Sequence, residues 1–211
     1  MALIDAGVAL ARAGGPDKVV LREAARIAGV SHSAAYRHFT DREALLSEVA
    51  HCARGELAAQ MLRGADRAAD PVSRLGAVGT AYVDFALNNP GLFRTAFIAH
   101  PSPVRDNHDP HRSDAPESPR PGVEPFEVLE QVLDEVQSAG MLDPHRRPGA
   151  AIAAWSAVHG LAGLLVDGPL PSARPEVDLA LSQVLELIAR GLLRLPGQSA
   201  DAPDRHTQSH E

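Results

Sequence analysis

Between residues 31 and 42 the chain gathers hydroxyls, imidazoles and guanidinium groups within a few turns: Ser31, His32, Ser33, Tyr36, Arg37, His38 and Arg42. These side chains donate and accept hydrogen bonds and carry positive charge, but they contain no nucleophile paired with an oriented base. Their chemistry is that of recognition. Farther on, Trp155 and His159 lie four residues apart, on one face of any helix that contains them, which offers an apolar wall with a polar handle. A third group, His100, His108 and His111 with Asp106 and Asp109, has metal-ligating side chains. It falls in a stretch of mixed, loop-like composition without cysteine, so solvated loop histidines are expected there and no metal site.

The recognition set is positioned by the run from Val19 to Ala50, which reads as two short helices, a tight turn and the start of a longer helix. Leu21, Ala24, Ala25 and Ala28 give the first helix one apolar face. Gly29 follows where a left-handed residue closes a helix, Val30 is expected to be buried in the turn, and Ser31 can cap the second helix. Small Ala25 and Ala35 allow the two helices to cross closely. This is a helix-turn-helix pattern, in which the second helix enters the DNA major groove. Ser31, His32 and Ser33 then lie at the end that meets base edges, and Arg37 can reach a guanine or a phosphate.

The stretch from Ala28 to Leu46, AGVSHSAAYRHFTDREALL, resembles the helix-turn-helix of the TetR family of transcriptional regulators. The features that carry the resemblance are Gly29, Val30 and Ser31, then Tyr36, His38 and Phe39, then Arg42, Glu43, Leu45 and Leu46. It is close over about the first quarter of the chain and architectural beyond. The resemblance implies phosphate contacts for Tyr36, His38 and Arg42, which position the helix without reading sequence. It also implies an all-α fold, with an N-terminal three-helix bundle at 1–50 and a helical regulatory and dimerisation domain at 51–196. The family usually places Ser or Thr at the position of Val20 to cap the next helix; Asp17 is the nearest substitute here.

The net charge of −7 looks unsuited to a DNA binder until it is divided. Residues 1–54 carry seven arginines and lysines against six carboxylates, a balance of +1, which leaves −8 for the remainder. The basic footprint is local, and pairing two copies doubles it. An acidic remainder argues against a protein that coats nucleic acid broadly. The single cysteine, Cys52, excludes an internal disulfide and suits a reducing, cytoplasmic setting, and Met1 opens directly into a helical pattern instead of a signal peptide.

Helical periodicity continues through the chain. Leu3, Ile4, Ala6, Gly7, Leu10 and Ala11 face inward on a first helix ended by Gly14, Gly15 and Pro16. Thr40 to Glu43 fit a capping box that opens a helix to about Leu62. Pro71 to Asn89 carries a stripe of Leu75, Val78, Gly79, Tyr82 and Ala86, and Phe93 and Phe97 follow on one face of the next segment. Residues 101–125 are read as a flexible loop and 197–211 as a disordered tail. A helix from Phe126 to Ala139 precedes 148–166, a segment without charged residues that is too weakly apolar to span a membrane. A helix of that kind is expected to be buried all round, partly against a second copy. With 175–195 it suits a two-fold four-helix interface.

Trp155, His159 and Gly160 resemble a W-x-x-x-H-G motif of one subgroup of TetR-like regulatory domains, a reading that makes Trp155 and His159 contacts for an effector; the competing reading is a core tryptophan beside a hydrogen-bonded histidine. Tyr82, Phe93, Phe97 and Phe126 are candidate ligand contacts with them, though aromatics at this spacing also build cores, as Phe85 is expected to. The expected function is a homodimeric regulator, a repressor of double-stranded operator DNA controlled by a small-molecule effector, with no cofactor. Two other classes compete. One is a regulator answering to a protein partner or to no ligand, which would lack a cavity beside Trp155. The other is an enzyme, for which the chain offers no nucleophile-base pair, phosphate loop or rigid ligand cluster.

Overall fold

A computed structural model describes residues 1–98, 123–171 and 173–194. Among these the regular structure is helical: α1 (Ala2–Gly14), α2 (Leu21–Ala28), α3 (His32–His38), α4 (Arg42–Ala65), α5 (Pro71–Asn88), α6 (Pro90–Ala96), α7 (Pro125–Ser138), α8 (Ala150–Val166) and α9 (Arg174–Leu192). The expected loop histidines and Asp106 and Asp109 lie outside the described residues, as does the 197–211 segment. The far end of the expected loop is structured, since Glu124 caps α7 and Pro125 is its first residue.

The first four helices follow from local chemistry. Leu3, Ala6, Gly7 and Ala11 bury one face of α1, and Gly15 at φ 82° ends it. Gly29 closes α2 in the left-handed region at φ 68°, a conformation that costs glycine nothing. Ser31 then caps α3, its hydroxyl accepting from the Ala34 amide at 3.2 Å. Ala25 and Ala35 are both buried where α2 and α3 cross.

Three local expectations are overturned. Val30 is 37% exposed, because its backbone amide closes the turn on the Ala25 carbonyl while its side chain points away from the small α2–α3 crossing. The cap of α4 is Asp41, not Thr40: its carboxylate accepts from the Ala44 amide at 2.8 Å, and a charged acceptor at a helix N-terminus is favoured over a hydroxyl. Thr40 donates to that same carboxylate. Asp17 does not replace the missing cap of α2. It sits in a 3-10 turn, Pro16–Lys18, and Val20 occupies the cap position without a side-chain hydrogen bond.

The long α4 leaves the helix-turn-helix and packs along α5, α6 and α7, while α5 runs through the centre against α4, α6, α7, α8 and α9. One apolar core extends without a break from Leu3 and Leu21, through Leu45, Leu57 and Tyr82, to Leu133 and Leu181. Arg54 on α4 joins α6 to α7 by reaching the Ala96 carbonyl and the Glu124 carboxylate. The start of α6 lies on the end of α1, with Arg12 donating to Asn89 and pairing with Glu56.

In the isolated chain α8 is buried on one side only. Ala151, Ala154, Val158, Ala162 and Leu165 face the core, whereas Ile152, Ala153, Ser156, Gly160 and Leu164 are exposed. On α9, Val177 and Leu181 face inward and Leu179 and Leu187 outward. No helix among the described residues is long and apolar enough to cross a membrane.

Candidate DNA-reading surface and regulatory cavity

The helix-turn-helix presents its polar set on one exposed surface. Ser31, His32, Ser33, Tyr36, Arg37 and His38 are all exposed, while Ala35 on the opposite side of α3 is fully buried. The His32 and Tyr36 rings lie 4.6 Å apart, one turn along the helix, and the Ser31 and Ser33 hydroxyls share a hydrogen bond of 3.2 Å. Ser31 therefore has two tasks, capping α3 and facing outward. Beside it a shallow hollow is formed by Arg22, Ala25, Arg26, Val30 and His32. Arg26 is tied to Glu23 at 2.6 Å, and this pairing holds the Glu23 carboxyl below its usual range and the Arg26 guanidinium above its own.

Arg42 is placed differently from the rest of the set. Its guanidinium donates to the Val19 carbonyl at 2.9 Å and to the Pro16 carbonyl at 2.8 Å, with Glu43 alongside at 3.3 Å. It fastens the start of α4 to the segment that leads into α2. Arg22 takes no part in the polar set singled out from the sequence, and only the fold brings it next to His32 and Val30.

Within α4–α9 the candidate ligand contacts divide into two groups. Tyr82 and Trp155, rings 5.1 Å apart and edge-on, line a cavity of about 270 Å³ bounded by α4, α5, α7, α8 and α9. Met61, Leu75, Leu129, Val158 and Leu185 complete much of its wall, and Glu186 is its charged lining residue. His159, Phe93, Phe97 and Phe126 do not line it. They pack behind Tyr82 and Trp155: His159 lies 4.9 Å from Phe97 and stacks parallel to Trp155, Tyr82 meets Phe93 at 5.9 Å, and Phe126 meets Trp155 at 5.6 Å. Phe85 is buried in the core.

The Tyr82 hydroxyl is bonded to His159 Nδ1 at 2.7 Å. Burial pushes the phenol far above its ordinary range, so it stays protonated, and the same desolvation lowers the His159 imidazole toward its neutral form. A neutral imidazole nitrogen accepting from a phenol satisfies a buried and a half-buried polar group at once. The pair is thereby turned away from the cavity, which leaves Tyr82 to offer its ring there. Nothing in the residue order marked the glycine-lined side of the cavity: Gly76 has open space where a Cβ would stand, whereas a Cβ at Gly79 would meet Leu185 at 2.7 Å.

No group of three metal-capable side chains occurs among the described residues. In comparisons with known proteins, residues 3–49 match the family model described as "Bacterial regulatory proteins, tetR family", and residues 75–188 match "Tetracyclin repressor-like, C-terminal domain". No curated protein matches the chain. Among solved structures, a protein of unknown function from Rhodococcus sp. RHA1 is 29% identical, with 92% of this chain and 94% of that one covered at a TM-score of 0.70. A TetR-family regulator from Pectobacterium atrosepticum has 19% identity over 92% and 93% of the two chains, TM-score 0.66. The fold also recurs in PfmR, a TetR-family transcriptional regulator from Thermus thermophilus, with 22% identity, 91% and 99% coverage and a TM-score of 0.57. With both family models matched in order along an all-helical chain, this protein belongs to the TetR family of DNA-binding transcriptional regulators.

Proposed function

We propose that the protein is a homodimeric repressor whose hold on its operator is controlled by a small molecule in the α4–α9 cavity. In this reading residues 1–50 form the DNA-binding domain and 51–196 the regulatory domain, in a cytoplasmic protein. Ser31, His32, Ser33 and Arg37 meet base edges, and Tyr36, His38 and Arg22 meet phosphates. Arg42 is reassigned from phosphate contact to holding α2 and α4 together, because its guanidinium is already engaged with backbone carbonyls.

Two copies pair through α8 and α9, each of which carries exposed apolar side chains in the isolated chain, Ile152 and Leu164 on one and Leu179 and Leu187 on the other. Exposed apolar side chains on two neighbouring helices suit burial against a second copy. Pairing sets the two α3 helices about 34–36 Å apart, or a multiple of it, to enter successive major grooves.

The observation that carries ligand control is a packed route from cavity to DNA-reading helices. Tyr82 on the cavity wall touches Phe93 of α6, and Gly91 of α6 rests on the backbone at the end of α1. A ligand that shifts Tyr82 shifts α6 and with it α1. Coupling of about 1–3 kcal/mol would change operator affinity about 5- to 150-fold. The test is to select an operator duplex from a random pool and measure its binding to the wild type and to Gly76→Leu, which fills the cavity. Ligand control predicts that cavity ligands change the wild-type affinity and lose that effect in the variant. If no ligand of the cavity changes operator affinity, a regulator controlled by a protein partner or by no ligand is the better reading.

A further inference from the structure

The lining of the cavity limits what it can hold. Its walls are aliphatic and aromatic, with Glu186 as the charged member and no lysine, arginine or histidine. Glu186 is itself paired with Arg190 on the outer side of α9. The Tyr82 hydroxyl is committed to His159. An anion entering here would lose its hydration and meet no cation on the wall, and an unpaired buried charge is strongly unfavourable. Room is set as sharply as charge. Gly76 leaves a pocket that no neighbour fills, and Gly79 lets Leu185 close the wall. The volume of about 270 Å³ is somewhat under twice the roughly 150 Å³ of an apolar cavity that accepts benzene.

We propose that the cavity selects a compact, uncharged lipophilic molecule about the size of two fused aromatic rings, and rejects anionic ligands of the same shape. The proposal rests on the cavity being the effector site, but its test reads binding and operator release separately. Titration calorimetry of the full chain near neutral pH would compare naphthalenemethanol with naphthoate, which share a shape and differ in charge. Naphthalenemethanol should bind, and naphthoate should bind at least about tenfold more weakly because its carboxylate finds no partner. Gly76→Leu should weaken naphthalenemethanol at least about tenfold by occupying the space. Where that variant fails to fold, as read by circular dichroism, Ala189→Leu fills the same cavity from α9.

Equal or tighter binding of naphthoate would overturn the proposal, as would unchanged naphthalenemethanol binding in the folded variants or its failure to bind the wild type at millimolar concentration. The two readings then separate on operator release. Naphthalenemethanol that binds the cavity yet leaves operator affinity unchanged supports the ligand class and counts against effector control. Naphthoate that binds at least as tightly as naphthalenemethanol and releases operator overturns the ligand class and leaves effector control standing.

Discussion

Gly91 meets the end of α1 so closely that a Cβ on it would lie 2.2 Å from the Ala11 carbonyl oxygen and 3.1 Å from that of Arg12. The first turn of α6 thus rests directly on backbone, with no side chain to cushion it. Arg12, from the same end of α1, donates to Asn89 at the start of α6. Gly91→Ala should destabilise the protein by about 1–3 kcal/mol in urea unfolding, because backbone must move to admit the methyl group. Gly55→Ala is the control: nothing stands within 4 Å of its Cβ, and the better helix former should stabilise by about 0.5–1 kcal/mol. Equal effects at the two positions would remove the close contact as a constraint.

Arg42→Ala should lower stability by about 1–2 kcal/mol through lost hydrogen bonds to Pro16 and Val19, while leaving the salt dependence of DNA binding unchanged. Arg22→Ala should do the reverse, with little effect on thermal unfolding and a decrease of about one in the log–log salt slope per monomer. Anisotropy titrations across a salt series distinguish them. A reduced slope for Arg42→Ala would restore it to the phosphate contacts.

Acidification should weaken the protein through His159. Its imidazole is held below the ordinary value by burial, so at mildly acid pH the unfolded chain takes up a proton that the folded chain resists. Stability attached to this group is present above about pH 6.5 and is lost as pH falls from there through the lowered folded value. Thermal unfolding of wild type and His159→Gln between about pH 5 and pH 7 isolates the contribution. The wild type should lose stability more steeply on acidification. Parallel curves would show that His159 is not the group responsible.

Leu187 is 68% exposed on the outer side of α9, so a charge there should leave the folded subunit intact. Leu187→Glu should convert the proposed dimer to a monomer in sedimentation and abolish tight operator binding, since a lone helix-turn-helix with a local balance near +1 has little electrostatic hold. A Leu187→Glu protein that stays dimeric would move the interface away from this face of α9.

The amino-acid order alone determined the helical fold class and the identity of the DNA-reading unit. Gly29, Ser31, Ala35 and the apolar spacing of α2 act within one or two turns, and such local signals survive whatever packs around them. The same holds for the stripe of α5 and the inner face of α7. Where two local signals competed, the sequence misled: Asp41 displaced Thr40 as the cap of α4, and Val30 joins the turn through its backbone amide and leaves its side chain exposed.

Tertiary structure decided which aromatic residues face a cavity and which face one another. Tyr82, Phe93, Phe97, Phe126 and Trp155 are alike as aromatic positions and His159 differs from them by its polar ring, yet of these six Tyr82 and Trp155 reach the empty space. The rest are drawn into a cluster behind them, and the Tyr82–His159 hydrogen bond fixes that division. Packing also turned Arg42 inward and brought Arg22 beside α3, residues separated by a turn and a helix. Neither placement is written in spacing, because each depends on the angle at which one helix crosses another and on the small residues that permit it.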